Sequence, residues 1–277
     1  MKRIFGLSVH VKIPPRWSLI LSLIPFIIVI GLYVFVSYNR HQANPDDKIV
    51  PTVSQITNAV LKAATPDWTT KNHEIMLLKD TLASLKRFAL GLLMGASFAI
   101  SVGIVLGSFP VMEAIFHRFI LYFTKIPPLA LVPIIFIISG IDERTKVLII
   151  IVGIFSLALD VYMRVKKDLS QEQLTKALTL GASTPEVVWH VILPQIIPAA
   201  LQGVRLNLPT AWLFLISSES LPTTSGLGYR IFVAGRHMSM DLIMPYVIWI
   251  AILAFTADWL VALWIRRRYP WYEEAKN

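Results

Sequence analysis

The sequence predicts an all-α integral membrane protein with about six transmembrane helices. Three observations carry this. Hydrophobic residues fill 55% of the 277 positions and charged residues only 16%, against roughly 45–50% and about 25% in a soluble domain. The apolar residues fall in runs long enough to cross a bilayer, which takes about 20 of them in a helix. The basic residues behind the net charge of +9 gather at the ends of those runs. This apolar content excludes disorder. The absence of cysteine excludes a disulfide-stapled or cysteine-ligated zinc protein. No nucleic-acid partner is expected, because no basic patch with interleaved stacking aromatics occurs.

The first span is Ser18 to Val36, without a single charge. It exceeds the 7–15-residue apolar core of a signal peptide and no small-residue cleavage site follows, so it reads as a retained helix after a cytoplasmic segment, residues 1–17. Residues 37–80 form a polar periplasmic loop. Within it Val53, Ile56, Val60 and Leu61 fit a short amphipathic helix, either lying on the membrane surface or an ordinary loop helix.

The second span is about Leu85 to Leu106. Its Gly91, Gly95, Ala99, Gly103 and Gly107 recur every four residues and form a smooth stripe for close helix packing. Ser108-Phe109-Pro110 interrupts the chain. Val111 to Lys125, with Glu113, His117 and Arg118, reads as an interfacial helix. Ile126-Pro127-Pro128 opens a short third span ending near Ser139, and Gly140 to Lys146 is a polar turn. The fourth span is Val147 to Met163. A fifth, Val191 to Ser218, contains Pro194, Pro198 and Pro209. A polar segment from Glu219 to Asp241 precedes the sixth span, Leu242 to Ile265. A basic tail, residues 266–277, closes the chain.

Charge orients the spans. Lys2, Arg3, Lys12 and Arg16, the Arg164–Lys166–Lys167 segment and Arg266–Arg268 fall on one side. Asp46, Asp47, Asp67, Glu74, Asp142 and Glu143 fall on the other. Lys and Arg mark cytoplasmic loops, so both termini are expected in the cytoplasm.

No catalytic motif is present. There is no Gly-x4-Gly-Lys-Ser/Thr phosphate loop, no His-Glu-x2-His pair and no Gly-x-Ser-x-Gly elbow. The six histidines are scattered, so no metal site is expected. The chain has no means of using ATP by itself.

The stretch between spans four and five carries more information. Helix formers fill Gln171 to Leu180, Gly181 breaks the helix, and Ser183-Thr184-Pro185-Glu186 starts another with a hydroxyl cap and an early proline. The product is a helical elbow, either a plain hairpin or a projection whose Leu174, Ala177, Leu178, Val187 and Val188 dock on a partner.

Leu180-Gly181-Ala182-Ser183, Val191, Leu193-Pro194, Pro198 and Gly203-x-Arg205 resemble the cytoplasmic loop signature of permeases in ATP-binding-cassette (ABC) importers, Glu-Ala-Ala-x3-Gly followed by Leu-Pro. The glycine falls on Gly181 and the second alanine on Ala177. The signature's Glu and first Ala fall on Thr175 and Lys176, a departure that removes any salt bridge carried by that Glu. Ala211-Trp212, Ser218-Glu219, Ser225-Gly226-Leu227-Gly228-Tyr229, Ile126-Pro127-Pro128 and the turn from Gly140 to Glu143 resemble the nitrate/taurine-type branch.

The resemblance implies a type I ABC importer permease fold, with a permease domain at 81–265. It implies two ATPase subunits that carry ATP and magnesium, a solute-binding protein outside, and a second permease subunit, either a copy of this chain in a homodimer or a related chain. It makes residues of about 170–190 the coupling helix, with Leu174, Ala177, Leu178, Gly181, Ala182, Ser183, Pro185, Leu193 and Pro194 as ATPase-coupling residues. The segment from Gly228 to Phe232, with Met238, Met240 and Met244-Pro245-Tyr246, resembles a subgroup thought to carry guanidine or urea-like compounds.

Polar groups inside a bilayer are costly and therefore mark functional candidates. Trp212, Ser217, Ser218 and Glu219 are expected to line the translocation path near its outer gate. Asp160 and Asp258 are expected to approach the cytoplasmic surface near Arg164 or Arg266, with an indirect contact between Asp258 and Arg266, which lie eight residues, two turns, apart. An ion-coupled transporter or channel without an ATPase is the alternative, although no internal repeat supports it. An integral-membrane enzyme would show clustered His or acidic residues at one membrane face.

Overall fold

The computed structural model describes residues 14–44, 49–66, 75–220 and 223–274. Lys2, Arg3, Lys12, Asp46, Asp47, Asp67 and Glu74, used above for orientation, lie outside them. Every regular element among the described residues is a helix. Among the described residues, five helices are long and apolar enough to cross a membrane, or six if one bent pair counts as a span.

Helix α1 (Pro15–Ala43) begins on a proline, whose missing N–H costs nothing at a helix start. Most of it is exposed along its length. It is joined to the rest where the Tyr33 hydroxyl donates to the Pro51 carbonyl at 2.6 Å and Ser37 Oγ to the same carbonyl at 3.2 Å. Helix α2 (Val53–Ala64) starts at a capping box in which Thr52 and Gln55 bond each other's backbone N–H. Its Ala59 and Ala63 are buried, and with Ile56 and Val60 they face an apolar groove shared with Tyr246 and Trp249.

Helix α3 (Met76–Ser108) starts nine residues before the predicted Leu85. The extra turns mix Met76, Leu77, Leu78 and Leu82 with Lys79, Asp80, Thr81 and Ser84, so the charge-free run begins too late, and Asp80, Thr81 and Ser84 find partners across the fold. Down α3 the glycine stripe does what its spacing predicts. A Cβ on Gly91 would lie 2.7 Å from Ile150 Cβ, and one on Gly103 would lie 2.5 Å from the Ala158 carbonyl oxygen. Side chains there would force the helices apart.

Helices α4 (Pro110–Phe123) and α5 (Pro128–Ser139) meet at a 96° bend. The Pro127-Pro128 pair supplies no backbone N–H to continue α4. The fourth span is two helices, α6 (Glu143–Gly153) and α7 (Leu157–Asp168), rather than one. Between them the backbone tightens into three-residue hydrogen bonds, such as Leu157 N–H to the Ile154 carbonyl at 3.0 Å.

The elbow consists of α8 (Gln171–Thr179) and α9 (Thr184–Val187), followed by a π-helical turn, Val188–Ile192. Helix α10 (Leu193–Glu219) runs on from it through Pro198 and Pro209. The polar segment after it contains α11 (Leu227–Arg236). Helix α12 (Met240–Arg268) and the short α13 (Pro270–Glu274) complete the chain.

The core has two main layers threaded by α3 and α10, and a small third cluster of Leu106, Ile120 and Tyr162. One layer gathers Phe88, Ile150, Trp212, Leu215, Leu227 and Tyr246. The other gathers Ala99, Leu157, Val161, Val187, Ile196 and Ala200. The first lies toward the end of the bundle that carries α11, the second toward the elbow.

Candidate functional site

The extra turns of α3 place Asp80, Ser84 and Arg87 at positions i, i+4 and i+7, on one helix face. All three are buried, at 0%, 0% and 5% exposure. Against this face come the last residue of α10, the start of α6 and the segment leading into α11.

Glu219 is the centre of the arrangement and is fully buried. Its Oε1 accepts from Arg87 Nη1 at 2.6 Å. The Ser84 hydroxyl lies 2.7 Å from Oε1 and 2.9 Å from Oε2. The Gly228 N–H donates to Oε2 at 2.8 Å. Ser84 Oγ in turn accepts the Leu227 N–H at 2.8 Å. Both carboxylate oxygens are therefore occupied by donors of the chain itself. Gly226, at φ +142°, packs so closely that a Cβ would sit 2.6 Å from Glu219 Cδ. Only glycine fits both the backbone and the space.

Arg87 bridges two carboxylates. Its Nε and Nη2 make a fork with Glu143 at 2.5 and 2.8 Å, while Nη1 also reaches the Ser225 carbonyl at 2.9 Å. Lys146 Nζ donates to Glu143 Oε1 at 2.7 Å and to Thr223 Oγ1 at 2.8 Å. Asp80 forms a second pair. It accepts from Arg230 Nε at 2.9 Å, the Gly226 N–H at 3.0 Å and the Tyr246 hydroxyl at 3.2 Å. Burial alone would pull the Arg230 guanidinium down, but the hydrogen bond and charge of Asp80 hold it above its ordinary value. Taking charges out of water costs several kcal/mol per ion, at roughly this order, unless each is paired and hydrogen-bonded. Here each buried charge is.

This network ties α3, α6, α10, α11 and α12 together at one end of the bundle. Below it α3 carries no charge from Phe88 to Ser108, and the fourth span none from Val147 to Leu159. The network is therefore the last polar layer before the apolar depth.

Glu219 is among the residues expected on the path, and most of the groups that hold it are not. Asp80 falls at the end of the expected loop and Arg87 inside the expected second span. The i, i+4, i+7 spacing of Asp80, Ser84 and Arg87 was the available signal. Trp212 and Ser218 are buried as well. Trp212 stacks on Phe88 with ring centroids 4.3 Å apart, and its indole N–H has no partner among the described residues. The Ser218 hydroxyl bonds its own helix at Leu215. Ser217 is half-buried. The four residues thus do not form one exposed wall, because three of them are packed inside the chain.

Asp258 corrects another expectation. It pairs with Arg205 of α10 through two bonds, at 2.6 and 2.7 Å, rather than with Arg266. Eight residues along one helix separate Asp258 from Arg266, whereas α10 lies alongside at the right level. Asp160 is exposed on α7.

At the opposite end, the elbow forms as its residues dictate. Gly181 adopts φ +87°, which ends α8. Ser183 N–H and Oγ both lie 2.7 Å from Glu186 Oε2, making the capping box that starts α9. Hydrogen bonds from Ser183 hold Glu186 below the usual carboxylate range. Leu174, Ala177, Ala182 and Leu193 are half-buried against the chain's own core, and Val187 is buried there. The exposed members are Leu178, Gly181, Ser183, Pro185 and Pro194. Leu180, at 83% exposure, and Trp189, at 68%, add an apolar face outside the expected ATPase-coupling set.

Residues 89–269 match the model of the family described as the binding-protein-dependent transport system inner membrane component. The chain belongs to this family. It is 32% identical over 227 residues to the taurine transport system permease protein of Escherichia coli (strain K12), covering 82% of each chain. It is 31% identical over 193 residues to a putative aliphatic sulfonates transport permease protein of Bacillus subtilis (strain 168), covering 68% of each. With the nitrate import permease protein of Synechococcus elongatus (strain ATCC 33912 / PCC 7942 / FACHB-805) it shares 26% over 190 residues, 67% of each. The permease is thus an inner-membrane subunit of an ABC importer of the nitrate/taurine type. Permeases of this family are non-catalytic, hold no cofactor and act with a separate ATPase and a solute-binding protein. Among the described residues no group of His, Asp or Glu could hold a metal ion.

Proposed function

We propose that this permease moves a small polar solute inward, with its elbow coupled to an ATPase and its ionic network closing the outer end of the path. The relatives' names support a solute of the taurine, sulfonate or nitrate kind. In this reading both termini and the elbow are cytoplasmic and the Asp80–Arg87–Glu219 network is periplasmic. Two ATPase subunits, loaded with ATP and magnesium, bind beneath a homodimer of the chain.

The observation that carries the reading is the exposed apolar face of the elbow. Leu178, Leu180 and Trp189 project from a loop whose inner face, through Leu174, Ala177 and Val187, is packed on α3, α7 and α10. Force applied to the outer face reaches those spans through packed side chains. Rigid-body motion of packed helices is the general means of alternating access.

At the far end, Glu219, Ser218 and Trp212 belong to the path as its closed wall. Opening the path separates α3 from α10 and exposes them. The experiment is co-purification with the cognate ATPase. The intact chain should retain it, and a Leu178→Asp/Leu180→Asp variant should lose it while remaining in the membrane. ATP-independent uptake by the chain alone would favour the ion-coupled alternative and overturn the proposal.

A further inference from the structure

Beside the ionic network lies an open cleft of about 480 Å³, within the range of small-ligand sites. Its walls are Ala83, Lys86, Arg87 and Leu90 of α3, Glu143, Arg144 and Val147 of α6, and Thr224 and Ser225. Its electrostatics follow from the pairing already described. Arg87 and Lys146 are balanced by Glu143 and Glu219. Lys86 and Arg144 remain, both exposed, and among the described residues neither pairs with a carboxylate. Asp142, the neighbouring exposed acid, is not part of the wall. The cleft therefore carries two positive charges in excess.

The two carboxylates near the cleft are already engaged with the chain's own cations. Glu143 takes Arg87 on both oxygens and Lys146 on one. Glu219 is saturated by Ser84, Arg87 and Gly228 and is fully buried. A guanidinium solute finds no free acceptor pair here, and Lys86 and Arg144 repel it. An oxyanion finds two ammonium or guanidinium donors, hydroxyl-bearing residues and an apolar floor at Leu90 and Val147. Charge-assisted hydrogen bonds to such a group are roughly twice as strong as neutral ones.

We propose that this cleft is an anion subsite at the outer mouth. Lys86 and Arg144 receive the sulfonate, carboxylate or nitrate group of the incoming solute directly above the Arg87–Glu219 closure. The proposal rests on the importer reading above and narrows its substrate to anions, against the guanidine-like solutes that part of the sequence resembles. An anionic lipid headgroup offers the same chemistry, so the test separates the two sources.

The complex of permease and ATPase, in phosphatidylcholine nanodiscs, is treated with an amine-acylating reagent. Modification of Lys86 is read by peptide mass spectrometry against exposed Lys62. Millimolar ethanesulfonate should slow modification of Lys86 at least threefold and leave Lys62 unaffected, while tetramethylammonium, which the reagent cannot acylate, should slow neither. No protection by ethanesulfonate overturns the subsite. Protection by phosphatidylglycerol that ethanesulfonate cannot displace assigns the cleft to lipid and overturns the solute proposal.

In proteoliposomes with the solute-binding protein, Lys86→Gln/Arg144→Gln should raise the KM for the anion about tenfold. Lys86→Arg alone should keep it near the parent value. An unchanged KM in the double variant, or ATP-driven uptake of guanidinium by the parent, overturns the anion subsite and leaves the importer standing. Absence of ATP-driven uptake in the parent overturns the importer reading instead, and the protection assay still reports on the cleft.

Discussion

Arg87 and Glu219, 132 positions apart in the chain, meet through Nη1 and Oε1 at 2.6 Å inside the protein. Arg87 is 5% exposed and Glu219 not at all. The pair joins the second span to the fifth at the level where charge gives way to apolar helix. Its strength comes from company: Ser84 and Gly228 complete Glu219, and Glu143 completes Arg87.

Removing one partner leaves the other as an uncompensated buried charge, a loss of about 3–5 kcal/mol. Arg87→Ala should therefore lower the thermal midpoint of the purified protein sharply. Glu219→Gln keeps the shape and two of the hydrogen bonds but removes the charge. It should assemble with the ATPase while uptake is altered or lost. Normal uptake by Glu219→Gln would show that the network has no part in closing the path.

Helix packing along the glycine stripe gives a second expectation. Gly103→Val places atoms where the Ala158 carbonyl and Val161 already are. Overpacking of this kind costs about 1–3 kcal/mol, and a lowered melting temperature is the readout. Gly31→Val provides the comparison, since nothing lies within 4 Å of a Cβ there. A Gly103→Val protein as stable as Gly31→Val would contradict the packing seen between α3 and α7.

The elbow's turn is testable through backbone alone. Gly181 sits at φ +87° with open space around it, so a β-branched residue meets strain rather than a clash. That strain is on the order of 1–3 kcal/mol. Gly181→Val should reduce ATP-driven uptake and ATPase co-purification, and Gly181→Asn, which tolerates the left-handed region better, should retain more of both. Equal behaviour of the two variants would mean that the turn's conformation is unimportant to coupling.

The Arg205–Asp258 pair joins α10 to α12 through two bonds, with side chains roughly one-third exposed. In an apolar surround a lone charge at either position is unfavourable. Asp258→Asn should lower stability, and the exchange Arg205→Asp/Asp258→Arg should recover part of it. An exchange no better than the single change would remove the pair's role as a tie between the helices.

The sequence determined whatever depends on neighbours along the chain. Apolar runs placed the spans, the four-residue recurrence from Gly91 to Gly107 gave the packing stripe, and Gly181 followed by Ser183 to Glu186 gave the elbow. Each is a local pattern in which the residue types alone state the preference. Tertiary structure decided the rest. The start of α3 carries Lys79 and Asp80 among its leucines, so a charge-free run does not reach it. Only the approach of α6, α10 and α11 brings Asp80, Ser84 and Arg87 together as a buried ladder. The partner of Asp258 was equally out of reach, because Arg205 is remote in sequence and adjacent in space. The same holds for Glu219. Its carboxylate marked the site in the sequence, but only the fold shows it to be saturated. That saturation, beside a Lys86 and an Arg144 that have no carboxylate partner among the described residues, is a property of the assembled helices and of no single segment.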